Sequence, residues 1–79
     1  MLHVINAKYV SDYQIWVAFD DGSDGVVDLQ NTLHGPIFEP LKDLPMFKQF
    51  YLDPELETIA WSNGADLAPE YLKSLLTNH

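Results

Sequence analysis

The side chains in this sequence that could do chemistry are carboxylates, histidines, serines and tryptophans, because its 79 residues include no cysteine and no arginine. Their densest group lies in the run WSNGADLAPE, where an indole, an amide and a carboxylate follow one another closely. An N–H donor, an amide and an anionic oxygen at this spacing could orient a polar ligand or hold a cation. One hypothesis is therefore a small-ligand or cation site formed by Trp61, Asn63 and Asp66.

The same run also has a purely structural interpretation. Asn63-Gly64 is a strong signal for a two-residue hairpin loop, which would place Trp61 opposite Asp66. Pro69 suits the first turn of the helix that follows. We favour this structural interpretation, and it leaves open whether Asp66 accepts backbone hydrogen bonds or lines a cavity.

A second acidic run, DDGSDG at residues 20–25, resembles the start of a calcium-binding loop. The resemblance fails at two ligand positions, because Gly22 replaces an oxygen ligand and Asn31 stands where a bidentate glutamate is needed. A hairpin turn explains the same residues better, with Asp21 and Gly22 as the two central positions of a type I′ turn. We therefore predict no metal site here.

Other catalytic arrangements are not supported. The histidines have no metal-ligand spacing along a predicted helix, and the serines lack the G-x-S-x-G context of a nucleophile. Asp28 and Asp66 would form a carboxylate pair only if the third strand lay beside the second hairpin, and no third group would complete a reaction. We predict no enzyme and no cofactor. The histidines without metal-ligand spacing are His3, His34 and His79, and the serines without a nucleophile context are Ser11, Ser23, Ser62 and Ser74.

The charge of the chain argues against several classes of partner. Twelve acidic residues against four lysines give a formal net charge of -8. Nucleic-acid binding depends on basic residues that neutralise phosphates, so direct binding to DNA or RNA is not expected. The same charge disfavours anionic membranes and favours basic partners or cations. The N-terminus lacks the pattern of a signal peptide and no apolar run could span a membrane, so we expect a cytoplasmic protein.

The alternation of apolar residues and the turn signals predict an α+β fold. It consists of a three-stranded antiparallel meander, a second short hairpin, one short helix and a C-terminal helix packed on the sheet. The type I′ turn in the meander would pair Val17 with Val26. The predicted strands are 2–10, 13–20, 23–29, 50–53 and 57–61, all within one domain of residues 1–79.

Short helical segments are expected between and after the strands. One helical turn is predicted at 30–34, and the proline-rich segment 36–41 is predicted to be extended or irregular. Asp43 is predicted to cap a short helix that ends near Gln49. The final helix is predicted over 69–76, with one apolar stripe for docking on the sheet. That stripe is Ala68, Leu72, Leu75 and Leu76.

The second strand carries apolar residues on both faces. Ile15, Val17 and Phe19 would point to one side, and Trp16 and Ala18 to the other. This pattern predicts either a sheet covered on both faces or a sheet covered once and used for association on the other face.

In their order along the chain, VAFDDGSDGVVDL, GPIFEPLKDLPMF and FYLDPELETIAWSNGADLAPEYL resemble the bacterial domain of unknown function 2442 family. The resemblance runs from about Val4 to Leu72, and its most specific parts are the W-x-N-G-x-D-L-x-P-E run and the F-x-D-G hairpin. It implies a small α+β fold similar to the N-terminal domain of a small nitrosomonad protein of unknown function. One departure is Ala68, where the family often has the serine that caps the helix.

The resemblance implies little about activity. Some members are fused to a C-terminal helix-turn-helix, for which the residues up to His79 leave no room. Others are encoded beside a second small protein in an arrangement similar to toxin–antitoxin pairs, although this chain shows neither a DNA-binding part nor a disordered tail. It implies no catalytic residues that could be carried over.

Two function hypotheses follow. The first is a non-enzymatic module that binds a partner protein, such as the product of a neighbouring gene, or a second copy of itself. Its binding surface would be an exposed strand edge or an apolar sheet face. The second is the ligand or cation site at Trp61, Asn63 and Asp66. A third possibility is a regulatory domain whose DNA-binding half belongs to another chain.

Overall fold

The computed structural model of the protein describes residues 1–76 and has the predicted α+β fold. The strands are β1 Val4–Ser11, β2 Gln14–Phe19, β3 Asp24–Asp28, β4 Tyr51–Asp53 and β5 Thr58–Ala60. The helices are two 3₁₀ segments, Gln30–Thr32 and Glu39–Lys42, and two α-helices, α1 Leu44–Phe47 and α2 Pro69–Ser74. The first three strands form one antiparallel sheet in the order β1-β2-β3, and β4 and β5 form a separate hairpin.

The register between β2 and β3 differs from the predicted one by one residue. Val17 lies opposite Gly25, not opposite Val26. The loop therefore holds three residues, 20–22, and is closed by a hydrogen bond of 3.2 Å from the Gly22 N–H to the Phe19 carbonyl. Within the loop only the glycine has a left-handed φ, +89°. The type I′ prediction was wrong, and the geometry is that of a type I turn followed by a glycine bulge.

The second hairpin is closed by an aspartate and a left-handed residue. The Asp53 carboxylate accepts hydrogen bonds from the backbone N–H groups of Glu55 at 2.8 Å and Leu56 at 3.0 Å. Glu57 then has a φ of +55°, which returns the chain into β5. Its carbonyl accepts a hydrogen bond of 2.9 Å from the Val4 N–H, so the hairpin is tied to the start of β1.

The segment between the two sheets is more helical than predicted. The stretch 36–41, predicted to be extended or irregular, forms turns and then the second 3₁₀ helix. The Gly35 carbonyl accepts hydrogen bonds from the N–H groups of Phe38 and Glu39, which close the turn before the second 3₁₀ helix.

Asp43 occupies the N-cap position of α1, but its side chain makes no capping hydrogen bond. The backbone carbonyl of Asp43 accepts a bond of 2.9 Å from the Phe47 N–H. The helix ends there, two residues before the predicted Gln49, and the Phe47 side chain is fully buried.

The C-terminal helix ends at Ser74, so it is shorter than the predicted 69–76. Leu72 is fully buried, and Leu75 and Leu76 are partly buried against the core. Ala68 is exposed and does not belong to the buried stripe. It stands at the N-cap position without a side-chain acceptor. Among residues 1–76, no helix is long and apolar enough to cross a membrane.

One hydrophobic core connects the meander, the second hairpin and the helices. Phe47 lies within it and contacts the rings of Tyr9, Tyr13 and Trp61 at centroid distances of 6.4, 5.2 and 5.9 Å. The Tyr13 hydroxyl also donates a hydrogen bond to the Lys42 carbonyl. These contacts position Trp61, the first residue of the WSNGADLAPE run.

Candidate functional site

The loop after β5 repeats the geometry of the first hairpin loop. The Trp61 N–H donates to the Ala65 carbonyl at 2.8 Å, and the Gly64 N–H donates to the Trp61 carbonyl at 3.0 Å. Gly64 has a φ of +95°, and Asn63 does not have a positive φ. The loop therefore contains three residues, 62–64, and the predicted two-residue turn was wrong. Asp66 pairs with Ala60, not with Trp61.

The polar atoms of Trp61 and Asn63 are used by the backbone of the protein itself. The buried indole N–H of Trp61 donates to the Phe47 carbonyl at 2.9 Å. The Asn63 amide donates to the Ile37 carbonyl at 2.9 Å, and its oxygen accepts from the Ala65 N–H at 3.1 Å. These bonds hold the loop against the helical segment.

In the described part of the chain, Asp66 neither accepts backbone hydrogen bonds nor lines a cavity, the two alternatives that the sequence left open. Its side chain is exposed, and within residues 1–76 its carboxylate has no hydrogen bond or ion pair. No pocket is formed by the part of the chain that the structure describes. Trp61 is buried while Asp66 faces solvent, so the two are not brought into one cavity. The small-ligand site at Trp61, Asn63 and Asp66 stays a prediction.

The acidic loop of the first hairpin is an internal hydrogen-bonding motif. The Asp21 carboxylate accepts from the Ser23 N–H at 2.9 Å and from the Ser23 hydroxyl at 2.6 Å. It also pairs with the ammonium of Lys73, which ties α2 to the loop. The Lys73 hydrogen bond, followed by the bonds from Ser23, lowers the pKa of Asp21 well below its usual range. In the described residues, no group of three acidic or histidine side chains could hold a metal ion.

A cluster formed by His3, Asp20 and Glu57 is not predicted by any pattern in the sequence. The imidazole Nδ1 lies 2.8 Å from an Asp20 oxygen, and Nε2 lies 2.8 Å from a Glu57 oxygen. The backbone N–H of His3 also donates to the Asp20 carboxylate at 3.0 Å. This backbone bond, followed by the side-chain bond, lowers the pKa of Asp20. Only long-range contacts bring these residues together, so no spacing in the sequence identifies them.

The other candidates from the sequence lie apart from one another. Asp28 is in β3 and caps the following turn by accepting from the Gln30 N–H at 2.9 Å. Asp66 pairs beside the second hairpin, so these two carboxylates belong to different sheets. His34 contacts the Asn31 carbonyl at 3.0 Å. His79 lies outside the described residues.

The remaining candidate surface is the outer face of the meander, defined by Lys8, Trp16, Asp24, Val26 and Asp28. Alternate residues of β2 are fully buried, while Trp16 and Ala18 between them are half-buried. In the register, Trp16 lies between Lys8 on β1 and Val26 on β3. The Lys8 ammonium is 5.8 Å from the centroid of the Trp16 ring. The sheet is therefore fully covered on one side only.

Sequence comparison gives one result for this chain. The family described as protein of unknown function (DUF2442) matches residues 4–77. No curated protein and no solved structure matches the chain.

Proposed function

The chain belongs to the DUF2442 family, whose function is unknown, and from the features of its surface we propose that it is a non-enzymatic module that binds a partner protein. The binding surface is the outer face of the meander. An acidic module of this kind would serve as the antitoxin-like or regulatory member of a two-gene pair. Its partner would be the product of the neighbouring gene.

The observation that carries this proposal is the apolar centre of the outer face. Val26 is 36% exposed on β3 and lies directly opposite the half-buried Trp16. Trp is enriched in protein interfaces because one ring gives a large contact area with little loss of side-chain entropy.

The polar surroundings of this centre also support a protein interface. Asp24 and Asp28 flank Val26 along β3, and Lys8 covers one side of the Trp16 ring. An apolar centre with a charged rim is the usual arrangement of a transient interface. The acidic residues of the rim, together with the net charge of -8, favour a basic partner.

A cross-linking experiment tests the proposal. A photoreactive phenylalanine analogue replaces Val26, and the chain is co-expressed with the product of the neighbouring gene. The matched control carries the same analogue at Leu52, which is 38% exposed on β4 in the other sheet. We expect a cross-linked heteromer from position 26 and none from position 52. The proposal is contradicted by equal cross-linking at both positions, or by a monomeric mass for the co-expressed chain together with no cross-link at position 26.

A further inference from the structure

The 62–64 loop contains an asparagine followed by a glycine, a pair whose side-chain amide is chemically labile. Asn63-Gly64 is the one such pair in the chain. Because glycine has no side chain, nothing on residue 64 shields its backbone nitrogen from the neighbouring Asn63 side chain. Asn63 is half-buried and Gly64 is exposed, so water reaches the pair. The chemistry of deamidation is therefore available at this position without an enzyme.

Deamidation of such a pair proceeds through a cyclic imide. The Gly64 backbone nitrogen attacks the carbonyl carbon of the Asn63 side chain, a carbon–nitrogen bond forms, and the proton of the Gly64 N–H is displaced. The bond from the same carbon to the side-chain nitrogen breaks, and that nitrogen departs with the displaced proton as ammonia. Water then opens the imide at one of its carbonyl carbons, which gives aspartate or isoaspartate. The only reactants are the chain and water.

The native loop engages both nitrogens that this reaction changes. The Gly64 N–H donates to the Trp61 carbonyl at 3.0 Å, and the Asn63 side-chain N–H donates to the Ile37 carbonyl at 2.9 Å. The imide contains neither N–H group, so both hydrogen bonds must break before it forms. The Ile37 side chain also lies against the loop, because a β-carbon at residue 64 would be 3.8 Å from its Cδ1. The folded loop therefore restrains the reaction.

The number of bonds indicates how strong this restraint is. Losing two hydrogen bonds of ordinary net strength slows the reaction roughly 5- to 150-fold relative to an open chain. If complete unfolding were required, the slowing for a chain of this size would be roughly a thousandfold or more. Both bonds lie within the loop or between the loop and residues 35–38, so a local opening releases them while the sheets stay intact.

We propose that Asn63 is a site of spontaneous deamidation, which the folded loop slows and which local opening of the loop from residues 35–38 permits. This modification is independent of the proposed function, because it involves neither the outer face of the meander nor a partner protein. Its extent in a sample records how long and how often the loop has been open.

The products fit the loop less well than asparagine does. Aspartate places a carboxylate oxygen where the amide nitrogen faced the Ile37 carbonyl, so two acceptors oppose each other. In the equivalent first loop, the Asp21 carboxylate instead has the Lys73 ammonium as its partner. Isoaspartate adds a carbon to the main chain of a three-residue loop, which displaces the backbone bond that closes it. Deamidation is therefore a one-way step that leaves the loop open more often.

Peptide mapping of the full chain during a long incubation at neutral pH tests the proposal. Deamidation at residue 63 is read from the mass gain of an amide converted to an acid. The reference is the synthetic peptide of residues 58–69 in the same buffer. We expect the reaction to be roughly 5- to 150-fold slower in the chain than in the peptide. Equal rates would mean that the loop gives no restraint, and slowing by about a thousandfold or more would mean that complete unfolding is required. Either result would overturn the inference.

Two variants separate local opening from complete unfolding. Ile37→Gly loosens the backbone that carries the acceptor and should speed deamidation roughly 2- to 5-fold. Val27→Ala removes fully buried atoms from β3, so it destabilises the whole fold but should leave the rate unchanged. If the reaction passes through complete unfolding, Val27→Ala should speed it roughly tenfold or more, which would overturn the inference. An unchanged rate in Ile37→Gly would also contradict it.

The deamidated chain itself tests the consequence for the loop. Ion-exchange chromatography separates it by its added negative charge, and Asn63→Asp supplies the aspartate form alone. We expect both to have a lower thermal midpoint and faster hydrogen exchange at the Gly64 amide than the matched control, which is the unreacted fraction of the same incubation. If the deamidated chain retains the midpoint and the exchange rate of the control, the bond to Ile37 does not restrain the loop and the inference fails.

Discussion

Replacing Trp61 by phenylalanine separates the structural role of the WSNGADLAPE run from a binding role. The change removes the indole N–H that bonds the Phe47 carbonyl at 2.9 Å in the core. A buried carbonyl left without its donor costs about 1–3 kcal/mol. The smaller ring leaves a cavity that costs on the order of 1 kcal/mol more. We expect Trp61→Phe to lower the free energy of unfolding by about 2–4 kcal/mol, a large part of the roughly 4–12 kcal/mol typical of a chain this size.

The measurement is urea unfolding followed by far-UV circular dichroism, which does not depend on the tryptophan signal. The chain contains its own matched control, because its second tryptophan, Trp16, is half-buried on the outer face, where the Lys8 ammonium lies over its ring. Trp16→Phe should cost less than about 1 kcal/mol. If the two variants have the same stability, or if Trp61→Phe matches the unmodified protein, the assignment of Trp61 to the core is refuted.

Three further changes test individual features of the fold. Stability should fall as the pH drops below 3.8, because the contacts of Asp20 with His3 lower the pKa of that carboxyl in the folded state and their contribution is lost on protonation. Asp20→Asn should flatten this part of a plot of the urea midpoint against pH. An unchanged slope would contradict this prediction. Gly64→Ala should destabilise the protein by about 1–2 kcal/mol in the same assay, because a φ of +95° is unfavourable for alanine, whereas a neutral effect would mean that the loop adopts another geometry. Ala68→Ser should stabilise the protein by about 1 kcal/mol by supplying the missing N-cap acceptor of α2, and a lower thermal midpoint would count against that helix start.

The strands and their order were predictable from the sequence. The turn residues, however, predicted the wrong register at both hairpin loops. Asp21-Gly22 and Asn63-Gly64 each predict a two-residue loop, and each is the end of a three-residue loop. In both loops a side-chain oxygen of the residue before the glycine accepts the N–H of the residue after it. This local bond accompanies the three-residue geometry, with a left-handed φ at the glycine alone.

The apolar alternation of the meander agrees with its observed register. Directly paired residues lie on the same face, and the register between β2 and β3 pairs buried Ile15 with buried Val27 and buried Val17 with Gly25. This register requires one more loop residue than the Asp21-Gly22 dipeptide predicts. In this hairpin the matching of faces is therefore a stronger signal than the dipeptide motif.

The candidate site was less predictable than the fold. The apolar second face of β2 was visible from the alternation around Trp16, and it became the outer face. The His3 cluster depends on the pairing of the N-terminus with residues 17 and 54 positions further along the chain, at Asp20 and Glu57. No local pattern encodes such a contact, because it forms only when β1 joins both sheets.

The placement of the two tryptophans gives the protein two separate optical reporters. Trp61 lies among the rings of Phe47 and Phe50, so its emission and near-ultraviolet dichroism follow the assembly of the core. Trp16 lies on the outer face opposite Val26, so its accessibility to a quencher such as acrylamide would report the binding of a partner to that face. Quenching of the Trp16 signal can therefore be titrated in the intact, unlabelled chain, while the Trp61 signal shows in the same sample that the fold is unchanged.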